Sequence, residues 1–364
     1  MKFALFTTNL AGGGAEKALA KIASGLAARG HEVDFIVCED AGNHAGNHAG
    51  NYAPPAGCRF HALAARAGHG WLGKRRLAWR LRRHLASNPH DLLVSTLPFA
   101  DEVAALAGAT RHVCRIANTL SAEIARLPAA KAQRRAERYR ALYGSRRLVA
   151  VSQGVAADMQ AGFGVAHERL RVIANPFDFV AIRALAAEPC PARPAGPYIL
   201  HVGRFAAQKR HDLLLAAFAK PDLPHTLVLL TPPDAKLTAL IARLDLAHRV
   251  VIADFQANPY PWMAGADLLA LCSDHEGLPN VLIEALACGT RVVSTDCPSG
   301  PREILGGELA QWLVPCNDAD ALAAAMRAAL AAPKPAQDVV DAALAPYAAD
   351  QALTAWEILA RESF

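Results

Sequence analysis

Residues 267–296 read Asp267-LLALCSDHEGLPNVLIEALACGTRVVST-Asp296. The opening Leu268-LALC run is of strand length and apolar throughout, as in a strand covered on both faces. Pro279 suits the first turn of a helix, where its missing N–H would find no partner anyway. Gly289 ends that helix ahead of a second apolar run, Arg291-VVST. Strand, helix and strand in this order predict a βαβ unit with parallel strands. Glu276 then stands in the loop at the carboxyl end of the first strand, and Glu284 lies one to two turns inside the helix.

The same alternation extends outward in both directions. Further strands are expected at Tyr198-ILHVG, Thr226-LVLLT, Arg249-VVIAD and Gln311-WLV, and in the first half at Lys2-FALFTT, Glu32-VDFIVC, Asp91-LLVST, Arg111-HVCRIAN, Arg147-LVAVS and Arg169-LRVIAN. After the first strand, Ala15, Ala18, Leu19, Ile22, Ala23, Leu26 and Ala27 recur at helical spacing, and Gly30 closes that helix. The proline-rich stretch Pro189-CPARPAGP-Tyr198 separates the two series. The expected fold is therefore α/β: a Rossmann-like, doubly wound domain over 1–185, a linker over 186–197 and a second such domain over 198–348. A last helix follows Pro346 and covers 349–364. Two such domains facing a cleft would bind ligands at the carboxyl ends of their strands.

Composition agrees. At 364 residues, two domains are the default, and 53% hydrophobic with 20% charged residues describes a globular chain. Mean hydropathy is +0.15, yet no apolar run approaches the roughly 18–20 residues of a membrane span. Met1-KFALFTTNLAGGG has one lysine and a four-residue apolar stretch, and does not read as a secretory leader. The eight cysteines are dispersed without a C-x-x-C pair, which argues against a zinc or disulfide framework and fits a reducing cytoplasm. The tandem Ala41-GNH-Ala45-GNH-Ala49-GN reads as a mobile loop, and its isolated His44 and His48 do not suggest a metal site.

Charge is segregated. Seven Lys/Arg and no acid fall between Arg66 and His90, and eight Lys/Arg against Glu137 alone between Arg126 and Arg147. Each stretch carries +7, so for a chain of net +5 the remainder is −9. Both stretches read as amphipathic helices, with Trp71, Leu72, Leu77, Trp79 and Leu81 in the first and Leu127, Tyr139, Leu142 and Tyr143 in the second. Such helices suit an anionic lipid surface. No RNP, KH or zinc-knuckle pattern is present, so nucleic acid is not expected as a partner.

The chemistry concentrates where the fold would place ligands. Backbone N–H groups of Gly277, Leu278, Asn280 and Val281 stand at a helix N-terminus, a ready anion site. A carboxylate at each end of it suits a sugar nucleotide, with hydroxyls to hold on both sides of a diphosphate. The Glu276-to-Glu284 segment resembles the E-x7-E motif of the retaining GT-B glycosyltransferases, specifically glycosyltransferase family 4. The resemblance extends to His201-VGRFAAQK, similar to that family's G-R-x4-K element, to the glycine loop Leu10-AGGGAEKAL, and to Val151-SQGV and Ala174-NPFD. It implies a GT-B fold whose C-terminal helix crosses back to the first domain. It implies that Arg204 and Lys209, beside Gly203, contact the donor diphosphate, that Glu276 binds the donor sugar, and that Glu284 binds the ribose. Asp254 and Phe255 fall where the base is held. Gly13, Gly14, Glu16, Asn118, Ser152 and Asn175 fall in the acceptor or phosphate loops. The implied activity is retaining, metal-independent transfer of a hexose or N-acetylhexosamine from a nucleotide-diphosphate sugar, with no cofactor. The wording is closest to enzymes that extend lipid-linked or lipopolysaccharide glycans on the inner face of the cytoplasmic membrane.

Three departures mark this chain. Asn118-TLSAE stands where many relatives carry a histidine near the donor sugar. Thr231-PPD and Asp254 replace glycines usual in the base-binding loops. Asp318-AD matches a D-x-D metal motif but follows Val314-PCN at a helix start, so an N-cap is the expected role. Two rival readings are a GT-B sugar-nucleotide epimerase, against which the Arg204, Lys209, Glu276 and Glu284 set weighs, and a non-catalytic GT-B binding subunit. A nicotinamide dehydrogenase is excluded by the lack of G-x-G-x-x-G after a strand, and a P-loop enzyme by the lack of G-K-[ST].

Overall fold

The computed structural model describes residues 1–11, 13–40, 53–68, 70–220 and 223–362. The repeat at 41–51, with His44 and His48, and Gly12 of the glycine loop lie outside them. The chain divides into two compact units, Met1–Pro176 with Ala349–Phe364, and Phe177–Ala348.

The first unit holds β1 (Lys2–Thr7), β2 (Glu32–Val37), β3 (Arg59–Ala62), β4 (Leu92–Thr96), β5 (His112–Ile116), β6 (Arg147–Ala150) and β7 (Leu170–Val172). They form one parallel sheet in the order β3-β2-β1-β4-β5-β6-β7. Its helices are α1 (Gly14–Ala28), α2 (Trp71–Ser87), α3 (Pro98–Leu106), α4 (Leu120–Ala125), α5 (Ala129–Tyr143) and α6 (Gln153–Phe163). Alternation along β1 explains its unbroken apolar reading. Phe3 and Leu5 point into a core with Leu19, Ile22 and Leu26 of α1, whereas Ala4 and Phe6 point to the opposite face, onto Leu77 and Leu81 of α2 and Val103 of α3. The four-residue β3 was not expected. It is an edge strand with an exposed-and-half-buried pattern, so it lacks the apolar run that marks the others.

The second unit holds α7 (Phe179–Ala186), β8 (Tyr198–Val202), α8 (His211–Ala219), β9 (Thr226–Leu230), α9 (Ala235–Arg243), β10 (Val250–Ile252), α10 (Tyr260–Gly265), β11 (Leu268–Leu271), α11 (Asn280–Ala287), β12 (Arg291–Thr295), α12 (Pro301–Ile304), β13 (Leu313–Val314), α13 (Ala319–Ala331) and α14 (Gln337–Leu344). Its parallel sheet has the order β10-β9-β8-β11-β12-β13. Ile199, Leu268, Ala270 and Val293 from the strands pack with Leu214, Phe218 and Met326 from the helices. The expected linker at 186–197 lies inside this unit. α7 packs on α10 and α11, and Arg193 donates to Pro261 O at 3.1 Å. The prolines therefore mark a surface segment strapped to its own unit, and the change of unit comes earlier, after Pro176. Asp318 does cap α13: its carboxylate accepts from Ala321 N at 2.8 Å.

The last helix, α15 (Ala349–Arg361), belongs to the first unit. Trp356, Leu353 and Leu359 enter the α1 core. A Cβ on Gly25 would stand 2.7 Å from Leu353 Cδ1, so a glycine is what allows α15 to lie so close to α1. Polar ties surround this contact: Arg29 with Asp350 at 2.6 Å, His31 with Glu357 at 2.8 Å, and Arg111 donating to Ala360 O at 2.6 Å.

Candidate active site

In the second unit, β8 and β11 are neighbours from which the strand order runs out in opposite directions. That is the switch point at which doubly wound sheets place ligands. The loop after β8 carries Gly203, Arg204 and Lys209, and the loop after β11 runs from Cys272 to Pro279. The two loops are laced together. Asp274 N donates to Gln208 O at 2.9 Å, Gln208 Nε2 donates to His275 O at 2.6 Å, and Arg210 Nη1 donates to Asp274 Oδ1 at 2.8 Å. Arg210 adopts a left-handed backbone, φ +46°, and hydrogen bonds to Asp212 and Asp274 hold its guanidinium above its ordinary range. Neither Arg210 nor Gln208 was singled out from sequence, where they look like surface residues trailing a motif.

This lacing brings the expected pair together. Lys209 Nζ lies 2.6 Å from Glu276 Oε1, and Ser273 Oγ donates to the same oxygen at 2.6 Å. Glu276 is 7% exposed. Beneath the loop, burial holds His201 neutral, far below its usual range, and pulls His211 down to about 4, the Lys209 charge adding to the effect. The positive charge of this edge thus rests on Lys209, Arg204 and Arg210 and not on the histidines. Arg204 is exposed and makes no ion pair with any described residue.

Gly277, Leu278 and Pro279 are buried ahead of α11, with Asn280 and Val281 half-buried in its first turn. No side chain caps α11, and the positive end of its dipole lies at this loop. Gly300 (φ +100°) packs against this loop, where a Cβ would collide with Pro279. Glu284 sits buried on α11 and accepts from Tyr260 OH at 3.1 Å. Tyr260 carries no motif signal, and only the packing of α10 on α11 reveals it. After β10, Asp254 adopts φ +55° and its carboxylate accepts from Phe255 N at 2.6 Å. The left-handed backbone there accounts for the glycine expected at this position, and aspartate is among the side chains that tolerate it.

The remaining candidates lie in the first unit. The Glu16 carboxylate folds over Gly13, where any Cβ would strike it, whereas a Cβ on Gly14 would meet nothing. Asn118 Oδ1 is buried without a hydrogen-bond partner. Asn175 Oδ1 accepts from Arg115 Nη2. Ser152 caps α6, accepting from Val155 N at 3.2 Å, which gives it a structural task.

The two basic stretches meet at α3, where Glu102 pairs with Lys74 of α2 and with Arg138 of α5. Their surfaces differ. In α5, Tyr139, Leu142 and Tyr143 are buried. In α2, Trp71 and Trp79 are 67% and 60% exposed, with Arg75 over Trp71 at 4.9 Å and Arg83 over Trp79 at 5.7 Å. No helix among the described residues is long and apolar enough to cross a membrane.

The family model described as Glycosyltransferase Family 4 matches residues 12–180, and that described as Glycosyl transferases group 1 matches 196–332. Over 159 residues the chain is 36% identical to an N-acetylgalactosamine-N,N'-diacetylbacillosaminyl-diphospho-undecaprenol 4-alpha-N-acetylgalactosaminyltransferase of Campylobacter jejuni, covering 43% of each protein. It is 30% identical over 173 residues to a lipopolysaccharide 1,6-galactosyltransferase of Salmonella typhimurium, covering 44% of this chain and 47% of that one. The matches thus span less than half the length of these curated relatives. Among solved structures, Anabaena HepE in complex with UDP-glucose superposes over 100% of both chains with a TM-score of 0.77 at 19% identity. A glycosyltransferase from Rickettsia africae covers 99% of both at TM-score 0.75 and 16% identity. At such identities the likeness is one of fold.

Proposed function

We propose that this chain, which belongs to the group 1 glycosyl transferases of glycosyltransferase family 4 and has their GT-B architecture, transfers a hexose or N-acetylhexosamine from a nucleotide-diphosphate sugar, with UDP as the nucleotide, to a lipid-linked or lipopolysaccharide-type glycan. The observation that carries the reading is the laced pair of loops after β8 and β11. They set Lys209, Glu276 and the N-terminus of α11 at the switch point of one sheet. The C. jejuni and S. typhimurium relatives, named for such acceptors, support the acceptor class, and a neighbour solved with UDP-glucose supports the donor.

In this reading the diphosphate lies against Arg204, Lys209 and the N–H groups of Gly277, Leu278, Asn280 and Val281. Glu276 holds the sugar hydroxyls, Glu284 the ribose, and Asp254 and Phe255 border the base. The acceptor hydroxyl attacks the anomeric carbon from the face the leaving group departs. The bond from that carbon to the β-phosphate oxygen breaks, and the same oxygen takes the acceptor's proton. The sugar keeps its configuration, and no cofactor or metal takes part. Lys209 and Arg204 act by neutralising charge that grows on the departing diphosphate.

The chain works peripherally, on the inner face of the cytoplasmic membrane that carries its acceptor. The Trp71, Leu72, Arg75, Arg76 and Trp79 face of α2 supports this, pairing indole rings suited to a headgroup layer with cations for anionic lipids. α5 contributes charge alone. Incubation with a panel of UDP- and GDP-sugars and a diphosphate-linked glycan acceptor, read by mass and by anomeric coupling in NMR, tests the reaction. Inverted product, or no transfer from any UDP-sugar, would refute it. Co-sedimentation with vesicles containing phosphatidylglycerol tests the membrane clause, which fails if W71A/W79A sediments like the unaltered protein.

A further inference from the structure

Arg210 follows Lys209 directly and belongs to none of the motifs. Its backbone is left-handed, with φ +46° and ψ +48°, at the single residue between the turn Ala207–Lys209 and α8. Glycine enters that region freely and long side chains seldom do. The half-buried guanidinium ties its own loop to two others. Nη1 donates to Asp274 Oδ1 in the loop after β11 at 2.8 Å and to Asn317 Oδ1 in the loop after β13. Nε and Nη2 each donate to the Asp212 carboxylate of α8 at 3.0 Å. Asn317 is itself left-handed, φ +62°. On the main chain, Cys272 Sγ donates to the carbonyls of Lys209 and Arg210 at 3.1 and 3.3 Å. Burial pushes that thiol up to about 12, so it keeps the proton it donates.

A strained backbone persists only where its surroundings over-determine it, and such residues gather at functional sites. For the turn alone a glycine would serve. Arginine adds a planar fork whose donors reach several acceptors at once, which the point charge of a lysine does not supply. The segments it joins flank one contact. Arg210 is the chain neighbour of Lys209, and Asp274 lies two residues ahead of Glu276. Both ends of the 2.6 Å Lys209–Glu276 contact thus stand on segments that one guanidinium holds. We propose that Arg210 is the positioning residue for this pair: it locks the loops after β8, β11 and β13 into one platform and acts on transfer through Lys209 alone. Nε and both Nη atoms are engaged within the protein, which leaves the substrate to Lys209. The inference rests on the transferase reading only for what Lys209 meets.

Amide exchange in the full chain reads the platform without any activity. The amide of Asp274, bonded to Gln208 O at 2.9 Å, is expected to lose at least tenfold in protection in R210G, a variant whose backbone suits the left-handed turn. The amides of β9, in the same sheet, should keep theirs. Equal protection at Asp274 in R210G and the unaltered protein overturns the proposal. Kinetics with the UDP-sugar that the panel shows to be transferred then read the action through Lys209. R210G is expected to lower kcat at least tenfold while donor KM stays within threefold. In the K209A background the same change should alter kcat by less than twofold, because the residue it positions is gone. A merely structural role would lower kcat by one factor in both backgrounds, and that result overturns the proposal. Should R210G not fold, D274A severs the same tie from the other loop and carries the same expectations. If no UDP-sugar is transferred, the transferase reading falls by itself, and protection at Asp274 still upholds or overturns the platform.

Discussion

The Lys209 ammonium lies 2.6 Å from Glu276 Oε1, so the residue proposed to meet the diphosphate and the one proposed to hold the sugar neutralise each other across the two loops. In that reading, removing the cation strips charge from the leaving group's surroundings. K209A is expected to lower kcat by about 10²- to 10³-fold, the usual cost of one electrostatic contact to developing charge. Steady-state kinetics with saturating donor would show it, and an unchanged kcat would end the diphosphate assignment.

Glu284 depends on Tyr260 for one hydrogen bond inside a buried site. Y260F removes a donor worth about 0.5–1.5 kcal/mol net. The donor KM is expected to rise by about two- to tenfold while kcat changes little, because the ribose binding proposed for Glu284 would be equally strong in the ground and transition states. A fall in kcat at constant KM would place Glu284 in the chemistry instead.

Gly25 is where α15 touches α1. G25A puts a methyl group against Leu353, and overpacking of this kind costs about 1–3 kcal/mol. A lower urea midpoint with an unchanged m-value is expected. A midpoint equal to that of the unaltered protein would mean that α15 shifts at no cost.

A buried pair in the first unit predicts an unusual pH profile. Asp101, bonded to Ser95 and Tyr143, is raised to about 7 by burial. His112, which shares Ser95, is lowered to about 3 by burial, with Arg146 adding. Between about pH 4 and 6.5 the folded state keeps one proton on Asp101, and the unfolded state keeps one on His112. The two contributions cancel, so stability from this pair is flat there. In D101N only His112 remains. Its folded pKa is depressed, so stability is lost as pH falls below 6.5, by about 1.4 kcal/mol per unit. Denaturation at half-unit steps of pH checks the slope; a flat D101N profile would contradict it.

Much of the fold is legible in the sequence. Apolar runs such as Leu268-LALC declared their strands because both sheet faces are covered, and Pro279 with Gly289 bracketed α11. Charge counting found both basic helices, but could not tell that Glu102 joins them or that only α2 exposes its tryptophans. Arg115 was invisible for a related reason. In Arg111-HVCRIAN it reads as the polar break at a strand end, and its burial exists only once β4 and the chain beyond β7 close over it. The early change of unit at Pro176 was missed because proline density marks an irregular surface, not the boundary of a core.

The placement of α15 has a consequence for how the molecule is made. The second unit is one unbroken segment, Phe177–Ala348, and every residue of its sheet leaves the ribosome before α15 does. The rest of the first unit precedes that segment yet lacks Leu353, Trp356 and Leu359 until α15 has been made. Deleting a buried tryptophan costs about 3–5 kcal/mol, so β1 and α1, translated ahead of the second unit, reach full stability only after it. Assembly therefore runs against the order of translation: the second unit can finish during synthesis, whereas the first closes only after the whole of this segment has emerged.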